Sequence, residues 1–160
     1  MTAAAAGPAK ILLVDDRPEN LLALEAILHG LGNPLIKALS GEEALKRLLT
    51  EDVALILLDV QMPGMDGFET ATHVKQRERT RDIPILFLTA IDGEGHQAFR
   101  GYAAGAVDYL SKPFDPWVLR AKVGVFIELY QRRRELAEQA EQLRRQLADI
   151  GAADLPDLAA

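Results

Sequence analysis

Polar side chains that can do chemistry stand at the ends of four apolar, strand-length runs in this sequence. In chain order they are Asp15 and Asp16, Asp59, Thr89 and Lys112. Each alone is more often structural, as a turn acid, a strand-end hydroxyl or a surface lysine. Packing does not account for their recurrence at the ends of four separate runs. Carboxylates, a hydroxyl and an ammonium group can together bind a divalent cation and a phosphoryl group.

The elements that must position these side chains follow a repeating pattern. Apolar runs that alternate with helical patterns predict βα repeats, and a strand that is apolar on both faces is typical of a parallel sheet covered by helices. Right-handed crossovers bring the carboxyl ends of such strands to one edge. The predicted fold class is α/β, a doubly wound five-stranded parallel sheet with helices on both faces. Its strands are predicted at 10–14, 35–39, 54–59, 84–89 and 106–110.

Start signals mark the first two helices. Pro18 suits the first position of helix one. Ser40, with Glu43 three residues later, predicts a capping box at the start of helix two. The helical spacing of leucines predicts buried faces on both helices, and these faces include Leu21, Leu22, Leu24, Leu45, Leu48 and Leu49.

The later helices differ in their predicted strength. A third helix begins after Gly67. A fourth, at about 94–104, is expected to be mobile because Gly93 and Gly95 weaken its start. The last helix begins at Trp117 and is predicted to be long.

Three carboxylates that meet at one sheet edge repel each other, and a divalent cation would offset that repulsion. Mg²⁺ suits the set because it accepts a few carboxylate or carbonyl oxygens, keeps water and leaves a position for a phosphoryl oxygen. Asp59 would be the nucleophile and form an aspartyl phosphate. Lys112 would supply a compact positive charge, and Thr89 a hydroxyl donor, to the phosphoryl oxygens.

Composition limits the classes of protein to which the chain can belong. Its 160 residues, 49% of them hydrophobic, suffice for one domain with a short appendage. The absence of cysteine rules out thiolate metal sites and suits a cytoplasmic location. No uncharged stretch is long enough to span a membrane. A net charge of −6, with a single basic run at 132–134, argues against direct nucleic-acid binding.

Four motifs together resemble the receiver domain of bacterial two-component response regulators, such as the chemotaxis response regulator. They lie at 14–16, 58–67, 88–90 and 105–114, within a resemblance that covers roughly residues 10–130. The resemblance implies a flavodoxin-like strand order of 2-1-3-4-5. It also implies that a partner sensor histidine kinase donates the phosphoryl group from its phosphohistidine to Asp59.

The resemblance also implies the metal ligands of the site. Asp15, Asp16, Asp59 and the backbone carbonyl of Gln61 would position the Mg²⁺ ion. The chain would catalyse only its own phosphorylation and dephosphorylation, so it is not expected to be an enzyme that acts on a separate substrate.

Two further features are implied by the same resemblance. Thr89 and Tyr109 would form a switch pair, in which the hydroxyl turns towards the phosphoryl group and the aromatic ring rotates inward. The peptide bond between Lys112 and Pro113 is expected to be cis.

Three other functional classes share features with the receiver interpretation, and the sequence disfavours each. A haloacid-dehalogenase-type phosphatase requires a second acid two residues after its nucleophile, where Gln61 stands. A flavodoxin-like cofactor binder requires a phosphate loop after strand one, where Asp15 and Asp16 would repel a phosphate. A degenerate receiver that acts only as an interaction module is disfavoured by the intact set of site residues.

The last helix is predicted to continue beyond the receiver as a parallel coiled coil between two copies of the chain. Residues spaced alternately three and four apart form an a/d seam of just over three heptads, about 33 Å long from residue 129 to 150. The predicted boundaries are a disordered tail at 1–8, the receiver at 9–128, the coiled coil at 129–150 and a flexible tail at 151–160. The seam consists of Phe126, Leu129, Arg133, Leu136, Ala140, Leu143, Leu147 and Ile150.

The coiled-coil seam is imperfect. The sequence also does not determine how the receiver would pass on its signal. Arg133 interrupts the apolar stripe and Ala140 fills it poorly, so modest affinity is expected, with a helix folded back on its own domain as the alternative. The flanking positions offer no complementary charge pairs. The chain could be a free-standing regulator that dimerises, or the receiver module of a larger hybrid sensor kinase or diguanylate cyclase.

Overall fold

The computed structural model describes residues 7–89 and 108–153, within which five parallel strands form one sheet. Their order across the sheet is β2-β1-β3-β4-β5. The α/β fold predicted from the sequence is therefore confirmed, as is the strand order that the family resemblance implies. The strands are β1 (Ile11–Val14), β2 (Leu35–Ala38), β3 (Leu55–Asp59), β4 (Ile85–Thr89) and β5 (Asp108–Ser111).

Burial of the strands follows their place in the sheet. Every residue of β1, β3 and β4 is buried, as expected for central strands whose apolar runs show no alternation. β2 and β5 lie at the two edges and are mostly half-buried. The three central strands are thus fixed by packing on both faces, and two of them end at candidate site residues.

One face of the sheet packs against α2 (Gly41–Arg47) and α3 (Gly67–Gln76). The rings of Phe68 and Phe87 meet edge to face with centroids 5.0 Å apart. Such a pair adds stability beyond its area of burial. The strand and helix residues that share this core include Leu12, Val14, Ile56, Leu58, Ala44, Leu45, Ala71 and Val74.

Successive side chains of a strand point to opposite faces of the sheet, so the strand residues that alternate with those of the first core lie on the opposite face. α1 (Pro18–Leu28) and the first turns of α4 (Pro116–Ala153) contribute the remaining buried helix residues. A guanidinium nitrogen of Arg120 also donates to the carbonyl of Ile27, 3.4 Å away, which links α4 to the end of α1. These helix residues are Leu21, Leu24, Leu28, Leu119, Val123 and Ile127.

Local capping explains where the helices begin. Pro18 occupies the first turn of α1, where its missing N–H is not needed. The Ser40 hydroxyl accepts a hydrogen bond from the Glu43 amide, as predicted. The Glu43 carboxylate, however, accepts from the amide of Leu39, not from that of Ser40. A complete capping box is present instead on α3, where Asp66 is the N-cap.

Some details of the sequence predictions need correction. Leu22 is 67% exposed, because the inward face of α1 is taken by its buried leucines at positions 21, 24 and 28. Leu49 is 58% exposed, because the helix ends at Arg47 and its periodicity no longer applies. The last helix begins at Pro116, one residue earlier than predicted. The predicted fourth helix at 94–104 lies outside the described residues.

Contacts divide the chain into two units, Pro8–Ile127 and a second that begins at Glu128 and includes Gly7. Apart from Gly7, the described residues of the second unit are the continuation of α4. In it Arg134 lies over the ring of Tyr130, 5.0 Å from its centroid, and donates to the carbonyl of Gly7. Among the described residues, no helix combines the length and the apolar character needed to cross a membrane.

The packing predicts which leucines carry the stability of the fold. Leu57 is fully buried in the central strand β3, so Leu57→Ala should lower the free energy of unfolding by about 2–5 kcal/mol. Leu22→Ala removes the same atoms from an exposed site and should change it by less than about 0.5 kcal/mol. Urea unfolding of both variants measures the difference, and equal losses would contradict the burial described here.

Candidate functional site

The predicted site acids converge at one edge of the sheet. Asp15 follows β1 directly, and Asp59 is the last residue of the neighbouring strand β3, whose Leu58 is aligned with Val14. One carboxylate oxygen from each of Asp15, Asp16 and Asp59 can be chosen so that all three lie within 4.8 Å of one another. Parallel pairing of β1 with β3 therefore brings together acids that are more than forty positions apart in sequence.

Asp15 is fully buried and is held by several donors. Its carboxylate accepts from the Arg17 amide at 3.0 Å and from the side-chain amide of Asn20 at 3.2 Å to each oxygen. Asp16 is half-buried, and no described residue donates a hydrogen bond to its carboxylate. Asp15 is thus an anchored group, whereas Asp16 keeps its oxygens available to a ligand.

Lys112 provides the positive charge of the site. Its ammonium lies 3.1 Å from Oδ1 of Asp59 and 3.3 Å from Oδ2 of Asp15. The backbone places it there, because the Lys112 amide donates to the Thr89 carbonyl at 2.6 Å and continues the pairing of β4 with β5. The peptide bond to Pro113 is cis. Among the described residues, this one ammonium group therefore contacts two of the three clustered carboxylates.

The surroundings of Asp59 disfavour the charged form of its carboxyl group. Burial, at 6% exposure, disfavours its charged form and raises its pKa from 3.8 to about 6. The Lys112 ammonium lowers this pKa, while the negative charges of Asp15 and Asp16 raise it. Near neutral pH the group is mostly ionised, in surroundings that do not fully compensate its charge.

Thr89 and Tyr109 lie on the same face of the sheet. Phe87 is aligned with Tyr109 across β4 and β5, and Thr89 stands two residues beyond Phe87 on the same strand. Thr89 is buried, whereas Tyr109 is half-buried and packs against the core on the α2 and α3 side. The two side chains are therefore diagonal neighbours near the site.

Gln61, the remaining candidate, is exposed and comes two residues after Asp59. The residue between them, Val60, is bonded on both sides: its amide donates to the Leu88 carbonyl at 3.0 Å, and its carbonyl accepts from the Gly67 amide at 2.8 Å. The chain is thus held firmly up to the peptide that leads to Gln61.

The donor set fits a hard divalent cation. Three carboxylates lie close together, two of them buried, and Lys112 is the one lysine among the described residues that contacts them. Mg²⁺ is bound by oxygen ligands and is commonly held by one or two carboxylates with water completing its coordination. Asp16 and Asp59 would be the direct ligands, because the acceptor positions of Asp15 are already engaged by described donors.

Asn20 was missed by the sequence reasoning. Its side-chain amide donates to both oxygens of Asp15 and fixes the orientation of that carboxylate. The available signal was weak: Asn20 is a polar residue in the first turn of a helix whose register Pro18 sets. A first-turn residue is well placed to face the preceding strand end.

Comparisons with known proteins agree with this geometry. The family described as the response regulator receiver domain matches residues 11–124. The response regulator PleD of Caulobacter vibrioides is 42% identical over 115 residues, which are 72% of this chain and 25% of that protein. The alkaline phosphatase synthesis transcriptional regulatory protein PhoP of Bacillus subtilis is 38% identical over 135 residues, 84% of this chain and 53% of that one.

Solved structures show the same fold. A putative response regulator from Chloroflexus aurantiacus has a TM-score of 0.72 at 38% identity, over 76% of this chain and 99% of its own. The receiver domain of the sensor histidine kinase PA1611 from Pseudomonas aeruginosa has a TM-score of 0.68 at 31% identity. That match covers 76% of this chain and 99% of the other chain. That crystal structure has a magnesium ion coordinated in its active site cleft. By contrast, the match covers only about a quarter of the length of PleD and about half of the length of PhoP.

The pKa of Asp59 predicts a pH-dependent effect of Asp59→Asn on stability. The folded chain keeps a proton on Asp59 up to about pH 6, whereas the unfolded chain loses it near 3.8. The contribution of Asp59 to stability therefore falls as pH rises from about 4 to 6 and is constant above. With a chelator present, Asp59→Asn should exceed the parent in stability by roughly 1–3 kcal/mol at pH 8.

The gap should close as the pH falls to 4. Asp52→Asn serves as the control, because the side chain of Asp52 is 80% exposed. Chemical unfolding at pH 4, 6 and 8 measures the effect. A gap that is independent of pH would contradict the assigned electrostatics of Asp59.

Proposed function

Because this chain belongs to the response regulator receiver domain family, we propose that it accepts a phosphoryl group on Asp59 from the phosphohistidine of a sensor histidine kinase. The observation that carries the proposal is the convergence of Asp15, Asp16 and Asp59 with Lys112 at the carboxyl edge of the sheet. Each of these four residues belongs to a motif that resembles the family. Asp59 is the proposed acceptor because it ends β3 within the motif at 58–67 and its carboxylate contacts Lys112.

We propose Mg²⁺ as the cofactor, held by Asp16, Asp59 and the backbone carbonyl of Gln61, with Asp15 as a further, anchored acid of the site. The acidic cluster supports this assignment, as does the magnesium in the related receiver of PA1611. When bound, the ion neutralises charge on the phosphoryl oxygens and on the acids.

In the proposed reaction a carboxylate oxygen of Asp59 forms a bond to phosphorus as the bond between phosphorus and the donor's histidine nitrogen breaks. That nitrogen keeps the electron pair of the broken bond. Lys112 already contacts Oδ1 of Asp59, and its ammonium would remain close enough to offset the charge of the new phosphoryl group. The ionised state of Asp59 near neutral pH suits this role.

We further propose that Thr89 and Tyr109 respond to phosphorylation. The Thr89 hydroxyl would donate to a phosphoryl oxygen, and its rotation would open space on the sheet face that it shares with Tyr109. The half-buried ring of Tyr109 could then turn inward. A local change of charge would thereby bias a surface between two states.

In this role the chain is a phosphoacceptor that acts on itself, not an enzyme with a separate substrate, and it shares the cytoplasm with its kinase. The two curated relatives named above are longer than the matched region. What they do as whole proteins therefore adds nothing to the proposal. The end of α4 would pass on the signal, and neither nucleic acid nor a membrane is proposed as a partner.

The phosphoacceptor role predicts a single labelled site. Incubation with acetyl phosphate and Mg²⁺ should add one phosphoryl group, seen as a mass increase of one phosphoryl unit, and Asp59→Asn should abolish it because amide oxygen is a poor nucleophile. The matched control Asp52→Asn removes an exposed acid that ends no strand and should label like the parent. Labelling that persists in Asp59→Asn would reject the assignment.

We also propose that the end of α4 pairs with a second copy of the chain as a parallel coiled coil. Leu129, Leu136, Leu143 and Ile150 recur every seven residues, and each is about half exposed or more. A seven-residue apolar repeat is the pattern of a left-handed two-stranded coil. The exposed stripe supports a partner that carries the same stripe.

Charges along the extension supply little stability of their own. Arg132 pairs with Glu128, and both Arg144 and Arg145 pair with Glu141, all on exposed parts of the same helix. Pairs of this kind contribute only a few tenths of a kcal/mol each. Burial of the leucine stripe is therefore the main force available for pairing.

The coiled coil predicts a change of oligomeric state. Leu136→Asp combined with Leu143→Asp places charges in the seam and should give monomers that still accept a phosphoryl group on Asp59. Gln131→Asp with Gln142→Asp adds the same charges away from the seam and should leave dimers intact. Light scattering with and without beryllofluoride, a phosphoryl mimic, distinguishes the species. Monomeric parent protein under both conditions would remove the proposed coil.

A further inference from the structure

The first residue of α3 lies directly against the backbone that carries Asp59. The amide of Gly67 donates to the carbonyl of Val60 at 2.8 Å, while the amide of Val60 donates to the carbonyl of Leu88 at 3.0 Å. Val60 is only 4% exposed. The peptides on the two sides of Val60, which join it to Asp59 and to Gln61, are therefore clamped by β4 on one side and by the start of α3 on the other.

This approach leaves no room for a side chain at position 67. A Cβ atom built on Gly67 would overlap the carbonyl oxygen of Asp59 and would lie 2.8 Å from Cα of Val60 and 3.1 Å from the carbonyl carbon of Asp59. These are backbone atoms, so they cannot rotate away as the end of a long side chain could. Any side chain at 67 must separate α3 from β3 by several tenths of an ångström.

The backbone conformation at position 67 does not explain why a glycine is needed there. Among the described residues the glycines with positive φ are Gly7, Gly32 and Gly64, so the backbone of Gly67 is open to any L-amino acid. Position 67 is the first residue of a helix, where alanine has the higher helical propensity. The requirement for glycine is therefore steric and comes from the contact with Asp59 and Val60.

We infer that Gly67 is a positioning residue for the cation site, an inference that rests on the proposed function. The clamped peptides carry the Asp59 carboxylate at one end and lead to the Gln61 carbonyl at the other. Mg²⁺ demands near-ideal octahedral geometry at short ligand distances. A shift of about 0.5 Å in this backbone is enough to spoil a preorganised site.

The N-cap of α3 holds Gly67 in place. The Asp66 carboxylate accepts from the Glu69 amide at 2.8 Å, and the Glu69 carboxylate accepts from the Asp66 amide at 3.1 Å. This capping box fixes the first turn of α3 and therefore the direction in which the Gly67 amide points. Loss of the cap should loosen the clamp more gently than a side chain at 67.

The first test is Gly67→Ala in the full chain, with Val74→Ala as the matched control. Val74 lies on the same helix, is 1% exposed and destabilises the core when truncated, but it is far along α3 from Asp59. Isothermal titration with MgCl₂ gives the cation affinity, and urea unfolding gives the stability. We expect at least tenfold weaker Mg²⁺ binding in Gly67→Ala and less than a twofold change in Val74→Ala.

Unchanged affinity in Gly67→Ala, or an equal loss in Val74→Ala, would overturn the inference and leave the proposed function intact. Absence of Mg²⁺ binding in the parent would instead overturn both. If Gly67→Ala does not fold, Asp66→Ala and Asp66→Asn decide the question, because asparagine keeps the capping acceptor and removes the charge. We expect weaker Mg²⁺ binding, about threefold or more, only in Asp66→Ala, and equal affinities in the two variants would reject the positioning role.

Discussion

The burial of an ionisable acid beside two others is the constraint on which this structure depends. Asp59 ends a strand that is covered on both faces, so water cannot fully solvate its charge, and Asp15 and Asp16 add repulsion. One lysine, at about 3 Å from two of the acids, offsets only part of the negative charge. A sheet edge built in this way favours ligands that bring positive charge, and the packing of β1 and β3 prevents the acids from moving apart.

The strands and the polar residues at their ends could be predicted from the sequence because both follow from short-range patterns, whereas the strand order came from the family resemblance. Continuous apolar runs that end in polar residues locate β1, β3 and β4, and parallel pairing then brings Asp15 near Asp59. Contacts that depend on the relative placement of distant segments were not predictable. The bond from Asn20 to Asp15 and the approach of Gly67 to the Asp59 carbonyl are of this kind.

Rigidity is distributed unevenly around the site. Asp15 and Asp59 are buried, the first directly after the central strand β1 and the second at the end of β3. The side chain of Lys112 is 28% exposed, and Lys112 follows the edge strand β5, whose residues are mostly half-buried. Elements with less buried surface open more readily. The acids are therefore the fixed part of the site, and the segment with Tyr109 and Lys112 is the part that a change of charge at Asp59 could move. The backbone bond from Lys112 to Thr89 couples that segment to β4.

The two parts of α4 obtain their stability from different sources. Leu119, Val123 and Ile127 are buried in the receiver unit, so tertiary packing supports the first turns. Beyond Ile127 the large aliphatic residues Leu129, Leu136, Leu143, Leu147 and Ile150 are exposed, so this part of the helix lacks the tertiary packing that supplies most helical stability in proteins. Surface ion pairs add little to it, and Arg133 interrupts the stripe that a partner would cover. If the extension pairs with a second copy as proposed, burial of the stripe would stabilise this part of the helix, and Arg133 would weaken the contact at its layer.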